Sequence, residues 1–241
     1  MIAEMAALLP RAAAVIVGEP SMMQAVTSHK GGLGLATHVR GFEVHSSLIH
    51  TGVSAIMQAA RLVDWANRVN AAHSAASPAP LAAPFDPPWT SAHVGRIAGG
   101  TACNITARDC RFLMDIRVVP GETIETWEAA YRAECARIEA EMRQVRPETE
   151  ITVERGFMLP PLQPERHGAA EKLVRALTGD NATHAVSYGT EAGQFQAEGY
   201  SAVVCGPGDI AQAHQPDEYI TLAQFEAGEA FMTRLVGSLS A

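Results

Sequence analysis

The sequence predicts an α/β fold split by an inserted segment with the ferredoxin-like element order βαββαβ. Two short, unbroken apolar runs, residues 12–17 and 202–205, lie near opposite ends of the 241-residue chain and each stops at a glycine. Runs of that kind read as strands buried on both faces. Between them, over roughly residues 30–155, strand-like and helix-like apolar spacings follow one another in the order βαββαβ, the pattern of two helices laid on one face of an antiparallel sheet. Beyond the prolines of residues 159–164, helical and strand patterns alternate as they do around a mostly parallel sheet.

The elements follow in order. Residues 1–9 are apolar and helix-prone with no capping residue before them, like a helix whose first turn is missing. Pro10 stops that stretch, residues 12–17 form the first strand, and Gly18 ends it. Residues 33–40 read as a strand, and residues 53–69 carry apolar side chains at 53, 56, 57, 60 and 63, the spacing of one helical face. A Pro/Ala/Ser-rich connection, residues 74–88, reads as a loop and leads to strands near 91–98 and 109–118. Residues 123–144 align Ile124, Trp127, Tyr131, Cys135, Ile138 and Met142 on one helical face, and residues 150–155 close the insert as a strand. The remainder reads as helix 165–177, strand 183–188, short helix 191–198, strand 201–205 and final helix 222–239. The expected division is therefore 1–28 and 158–241 for the α/β part and 29–157 for the insert.

A formal net charge of −8 supplies no electrostatic attraction to nucleic acid or an anionic membrane. No apolar run approaches the roughly 20 residues that span a bilayer, and no leader pattern opens the sequence. The four cysteines, at 103, 110, 135 and 205, lack CxxC spacing, which suggests packed, reduced thiols and a cytoplasmic setting. Cys103 and Cys110 could also be cross-strand neighbours.

Polar residues and glycines gather where the buried strands end. Glu19 follows the first strand, and the turn Gly206-Pro207-Gly208 with the segment Ala213-His214-Gln215-Pro216-Asp217-Glu218 follows the strand at 201–205. Open α/β sheets place their sites at such strand ends. A glutamate oxygen and an imidazole nitrogen suit zinc or a similar divalent ion. On residue type alone, a solvated turn at Glu19 and a surface hydrogen-bonder at His214 fit as well.

The strings VGEPSMMQAVTSHKGG, FEVHSSLIHTGVSA, FDPPWTSAHVGRIAGGTACNITARDCRFLMDIRVVPGE, SYGTEAGQFQAEGYSAVVCGPG and IAQAHQPDEYI resemble the zinc-dependent acetylornithine deacetylases of the M20 metallopeptidase group. The resemblance covers nearly the whole chain. It implies a catalytic α/β sandwich, only partly represented, split by a ferredoxin-like lid that dimerises. It further implies two ions, zinc (Zn2+) or cobalt (Co2+), about 3.5–4 Å apart, with Glu19 and His214 as ligands. His45 is implied as the catalytic lid residue that reaches the partner subunit's site to polarise the scissile carbonyl. Asn104 and Arg117 are implied as substrate-binding residues, Arg117 by gripping a carboxylate, and Ser187, Gly189, Thr190 and Glu191 as the loop that shapes the side-chain pocket. On the residues alone Asn104 is also a turn residue, and Arg117 also a surface partner for Asp115 or Glu122. The implied reaction is deacetylation of N2-acetyl-L-ornithine, a small-molecule N-acyl amino acid, to ornithine and acetate in arginine biosynthesis, by a homodimer that binds neither nucleic acid nor membrane.

The sequence departs from that pattern. Relatives carry a His-x-Asp motif, a bridging Asp and a Glu-Glu pair upstream of the segment matching Gly18-Glu19-Pro20. Here none of the nine histidines is followed two residues later by Asp, and no Glu-Glu dipeptide occurs. The expectation is a C-terminal portion that lacks metal ligands and the general base, binds metal weakly, is inactive alone and is less stable in its α/β part than in its lid. The alternatives are a non-catalytic dimerisation module, or another M20 N-acyl amino-acid amidohydrolase or dipeptidase.

Overall fold

A computed structural model of the chain describes residues 12–240; the helical turn expected over residues 1–9 lies outside them. The chain divides into two compact units, Gly32–Met158 and the segments on either side of it. It is a mixed α/β protein with two four-stranded sheets.

The central unit contains β3 (Gly31–Arg40), a 310 helix (Ser46–Thr51), α1 (Ala55–Ala75), β4 (Ser91–Gly99), β5 (Asp109–Val118), α2 (Ile124–Val145) and β6 (Glu150–Leu159). Its strands lie in the order β4-β5-β3-β6. Alternation along β5 explains the layering. Cys110, Phe112, Met114, Ile116 and Val118 are buried with α1 and α2 in one core, while Arg111, Leu113, Asp115 and Arg117 lie on the opposite, open face. All six apolar residues aligned over 123–144 are buried on α2, and each large one contributes roughly 1.5–3 kcal/mol. Thr123 caps that helix by accepting a hydrogen bond from the Thr126 amide at 3.3 Å. Tyr131 meets Thr37 of β3 through its hydroxyl at 2.7 Å, so the polar tip of the largest fully buried side chain is satisfied.

The flanking unit contains β1 (Val15–Val17), β2 (Val26–His29), α3 (Ala169–Thr178), β7 (His184–Val186), α4 (Ala192–Ala197), β8 (Ala202–Val204) and α5 (Leu222–Leu239). Its sheet runs β1-β8-β2-β7. Ala202 and Val204 enter one small cluster with Val17 and Leu162, whereas Val203 and Cys205 enter another with Val174 and Phe231. Burial on both faces is why this strand reads as an unbroken apolar run.

Three expectations need correction or qualification. β2 is absent from the sequence reading because Val26-Thr27-Ser28-His29 is neither an apolar run nor an alternating one. It is buried between β8 and β7 by tertiary placement alone. The mostly parallel sheet carries one exception: β1–β8 and β2–β7 are parallel, and β2–β8 is antiparallel. β1 is shorter than the run that announced it, with Ala12 and Ala13 exposed, and among the described residues it has β8 as its sole neighbour.

Candidate functional site

Glu19 and the loop that carries His214 leave the same edge of the flanking sheet, because β1 and β8 are parallel neighbours paired from Val15↔Ala202 to Val17↔Val204. The two strand ends are locked together. Gly206 sits so close to the first loop that a Cβ there would lie 2.4 Å from the Gly18 carbonyl oxygen, so only glycine fits. Ser21 staples the loops: its Oγ accepts from the Gly206 amide at 3.1 Å and donates to the Gln24 carbonyl at 2.9 Å. Met22 and Met23 lie at φ 55 and 60, left-handed conformations that cost L-residues of order 1 kcal/mol each. The amides of Met22 and Met23 donate to the Gly208 and Gly206 carbonyls at 2.8 and 3.0 Å, which holds the strained pair in place.

Past this turn, a cavity of about 440 Å³ is lined by Pro20, Gly208, Asp209, Glu218 and Tyr219 among others. Glu19 is half-buried beside it in the chain, and His214 is exposed at φ 60 with its amide donating to Glu218 Oε2 at 2.9 Å. The His214 imidazole makes no hydrogen bond or ion pair with the described residues, which leaves both nitrogens available. Tyr188, a residue absent from the sequence reading, donates its hydroxyl to the Pro20 carbonyl at 2.6 Å. Burial raises its pKa first, and the Glu19 and Asp209 carboxylates add to the rise, so the phenol stays a proton donor.

The loop Ser187–Glu191 follows β7. Thr190 is buried and its Oγ1 accepts from the Ala192 amide at 3.1 Å, while Ser187 and Glu191 are exposed. At Gly189 a Cβ would meet Leu159 at 2.3 Å and the Lys30 carbonyl at 3.1 Å. The loop is thus packed at Gly189 and Thr190 and solvent-exposed at Ser187 and Glu191.

In the central unit the structure brings His45 and Asn104 together. His45 pairs with Ile105 in an isolated bridge, and the Ser46 amide donates to the Asn104 carbonyl at 2.8 Å. Thr106 organises this segment: its Oγ1 accepts from the Val44 amide and donates to the Phe42 carbonyl, both at 2.8 Å. His45 caps the 310 helix, with Nδ1 accepting from the Ser47 amide at 3.3 Å and lying 2.8 Å from the Ser47 hydroxyl. An amide can only donate, so Nδ1 is unprotonated and the neutral ring carries its hydrogen on Nε2. His45 is exposed and presents an N–H. Asn104 lies in the turn between β4 and β5. Arg117, on the open face of β5, pairs through Nε with Asp115 at 3.0 Å, while Glu122 binds Thr90 and Trp127 instead.

Glu19 and His214 are donors of the right kind for a divalent ion. Among the described residues, however, no three His, Cys, Asp or Glu side chains converge as a metal-holding group. A catalytic zinc takes about three protein ligands, so the described residues do not by themselves fit one.

Residues 27–143 match the peptidase dimerisation domain of the M20 type. The matched segment makes up just under half of the chain. It is 35% identical over 237 residues to the acetylornithine deacetylase of Myxococcus xanthus, a match covering 95% of this chain and 58% of that protein. With the acetylornithine deacetylase of Edwardsiella ictaluri it shares 31% identity over 92% of this chain and 55% of that protein. The chain therefore spans little more than half the length of these relatives. Among solved structures, the aminopeptidase PepT of Bacillus cereus superposes with a TM-score of 0.68 at 18% identity, covering 94% of this chain and 58% of that one. A hydantoinase/carbamoylase-family amidase of Burkholderia multivorans superposes at 0.61 and 20% identity, covering 92% and 53%; these likenesses concern the fold. No helix among the described residues is long and apolar enough to cross a membrane.

Proposed function

We propose that this chain supplies the dimerising and substrate-gripping part of a metal-dependent amide hydrolase that deacetylates N2-acetyl-L-ornithine. One observation carries the reading: the match to proteins named acetylornithine deacetylase runs over 91–95% of the chain at 31–35% identity. The geometry accords with it. His45 offers a neutral Nε2–H, a donor suited to a carbonyl oxygen that gains charge. Asn104 lies beside it, and Arg117 has donors beyond its Asp115 pair for a substrate carboxylate. Ser187, Gly189, Thr190 and Glu191 frame the side-chain pocket in this reading, and Glu19 and His214 are two donors toward zinc or cobalt, the rest of the set coming from groups outside the described residues.

The strand order β4-β5-β3-β6 around α1 and α2 supports reading the central unit as a ferredoxin-like lid with boundaries near residues 29 and 157. The dimerisation-domain match supports a homodimer through it. All four cysteines are free, Cys103 exposed and the others buried, which accords with a reducing cytoplasm.

The test is a chimera in which this chain replaces its matching segment in the Myxococcus xanthus relative. Turnover of N2-acetyl-L-ornithine, lost in His214→Ala and His45→Ala versions that remain folded dimers, is the expected result. A folded chimera that cleaves other N-acyl amino acids or dipeptides in preference would move the assignment to another M20 amidohydrolase or dipeptidase. The chain alone should take up zinc substoichiometrically and leave the substrate intact. A folded chimera with no amidase activity at all would favour a non-catalytic dimerisation module, the reading to which the absence of a three-donor group among the described residues lends weight.

A further inference from the structure

The open face of the central sheet carries a groove of about 420 Å³ floored by Ala36, Ala98 and Leu113. Arg96 of β4 and Arg111 of β5 line one side, and Glu154 of β6 lines the other. The charges are placed by backbone register. Ala98 pairs with Arg111, and the register between β4 and β5 shifts from Val94↔Met114 to Ile97↔Phe112, so Gly95 and Arg96 together oppose Leu113. That extra residue is a β-bulge, which re-aims the side chains that follow it. Without it Arg96 would face Phe112, which is buried in the core; with it Arg96 lines the open face beside Arg111.

These two arginines differ from their neighbours. Among the described residues, every other arginine of this unit except Arg108 holds a carboxylate or a backbone carbonyl. Arg96 and Arg111 hold neither. Like charges side by side on adjacent strands repel, and an anion between them removes that cost while accepting charge-assisted hydrogen bonds. Glu154 likewise has no cation among the described residues. β5 and β6 are separated by β3, so the two charged sides stand about 10 Å apart at the backbone.

We infer that this groove binds an elongated dipolar small molecule, with its carboxylate held by Arg96 and Arg111, its apolar chain over Ala36, Ala98 and Leu113, and its ammonium group facing Glu154. His38, at the groove's edge, is occupied by Asp109 at 2.7 Å and is not the principal anion receptor. The groove is separate from the proposed substrate grip: Arg117 lies six residues from Arg111 along β5, roughly 20 Å away.

The test is titration of the full chain with 6-aminohexanoate, hexanoate and hexylamine, followed by amide chemical shifts. The expected order of affinity is 6-aminohexanoate, then hexanoate, then hexylamine, with shifts centred on Ala98, Arg111 and Leu113. Arg96→Gln and Arg111→Gln should each weaken both carboxylates about tenfold, and Glu154→Gln should bring 6-aminohexanoate down to the level of hexanoate. All three positions are exposed, so thermal melts should match those of the parent chain. Absence of binding by any probe, or shifts unaltered in Arg96→Gln with Arg111→Gln, would overturn the site. Equal affinity for hexanoate and 6-aminohexanoate would overturn its dipolar character. Either result leaves the deacetylase reading, tested through the chimera, unaffected.

Discussion

The backbone N–H of Gly193 donates to Nε2 of His29 at 3.2 Å, while Nδ1 of the same ring lies 2.9 Å from the Lys30 carbonyl oxygen. A carbonyl can only accept and an amide can only donate. The buried imidazole is therefore neutral, with its hydrogen on Nδ1. His29 ties the end of β2 to the start of α4, just beyond the loop that carries Thr190 and Glu191. Burial lowers its pKa below the ordinary 6.5, against smaller opposing contributions from backbone carbonyls and from Glu191.

That lowered pKa predicts acid sensitivity of the flanking unit. Below the ordinary value of about 6.5 the unfolded imidazole binds a proton that the folded one refuses, so stability declines as pH falls through that value and on toward the lower native pKa. Melting followed between pH 7.5 and 5 should show a steeper loss in the parent chain than in His29→Gln, which cannot titrate. Parallel slopes in the two would contradict the assignment. At pH 7.5 His29→Gln should itself be the less stable, because it loosens the Gly193 contact.

Gly193 has no room for a side chain: a Cβ would stand 2.0 Å from the Pro160 carbonyl oxygen and 3.1 Å from the His29 ring. Gly193→Ala should lower the stability of the flanking unit by at least ~2 kcal/mol and speed amide exchange across 187–193. Denaturant titration that leaves the midpoint unmoved would show that the linker at Pro160 yields freely.

Glu128 lies on the buried side of α2 and holds two guanidiniums, Arg132 at 2.8 Å and Arg155. Burial alone would raise its pKa, but the bonds to Arg155 and Arg132 outweigh burial and leave it lowered. Glu128→Gln should cost the central unit about 3 kcal/mol at neutral pH, read from urea unfolding. A depressed carboxylate pKa stabilises above its unfolded value, so the gap between parent and variant should narrow as pH drops below about 4.5. A gap that widens in acid would reverse the sign argued here.

Thr106 is the single side chain that satisfies both the Val44 amide and the Phe42 carbonyl. Thr106→Val keeps its volume and leaves the Val44 amide unpaired, at about 1–3 kcal/mol, while the Phe42 carbonyl keeps its bond from the Val53 amide at 3.1 Å. The Val44 amide should then exchange faster, and 15N shifts of His45 should change from one tautomer, hydrogen on Nε2, to a mixture. Unchanged His45 shifts would mean that Ser47 alone orients the ring.

Much of the architecture was legible because periodicity records burial directly. The helix 222–239 was read with its final bounds, and the buried face of α2 residue by residue. β2 was not, since its four residues carry no pattern of their own. The lone candidate residues Glu19, His45 and His214 owe their visibility to family resemblance. Tyr188, His29 and Ser21 escaped notice because each acts through a backbone group far away in the chain, as in the Ser21 contact with Gly206 across 185 positions.

Residue order by itself determined most of the strands and helices, the apolar side of α2, and which acids and imidazoles stand at strand ends, because these depend on interactions spanning a few residues. On α1 it did not, since Ile56, Met57 and Ala60 of the expected apolar face are exposed and Ala55, Ala59, Leu62, Trp65 and Ala66 are buried instead. Tertiary structure decided the rest: that β2 joins the flanking sheet, that Ser21 and His29 bond the backbone of Gly206 and Gly193, and that a bulge turns Arg96 to the open face. Strand register and hydrogen-bond direction arise from contacts between segments remote in sequence, and no local pattern encodes them.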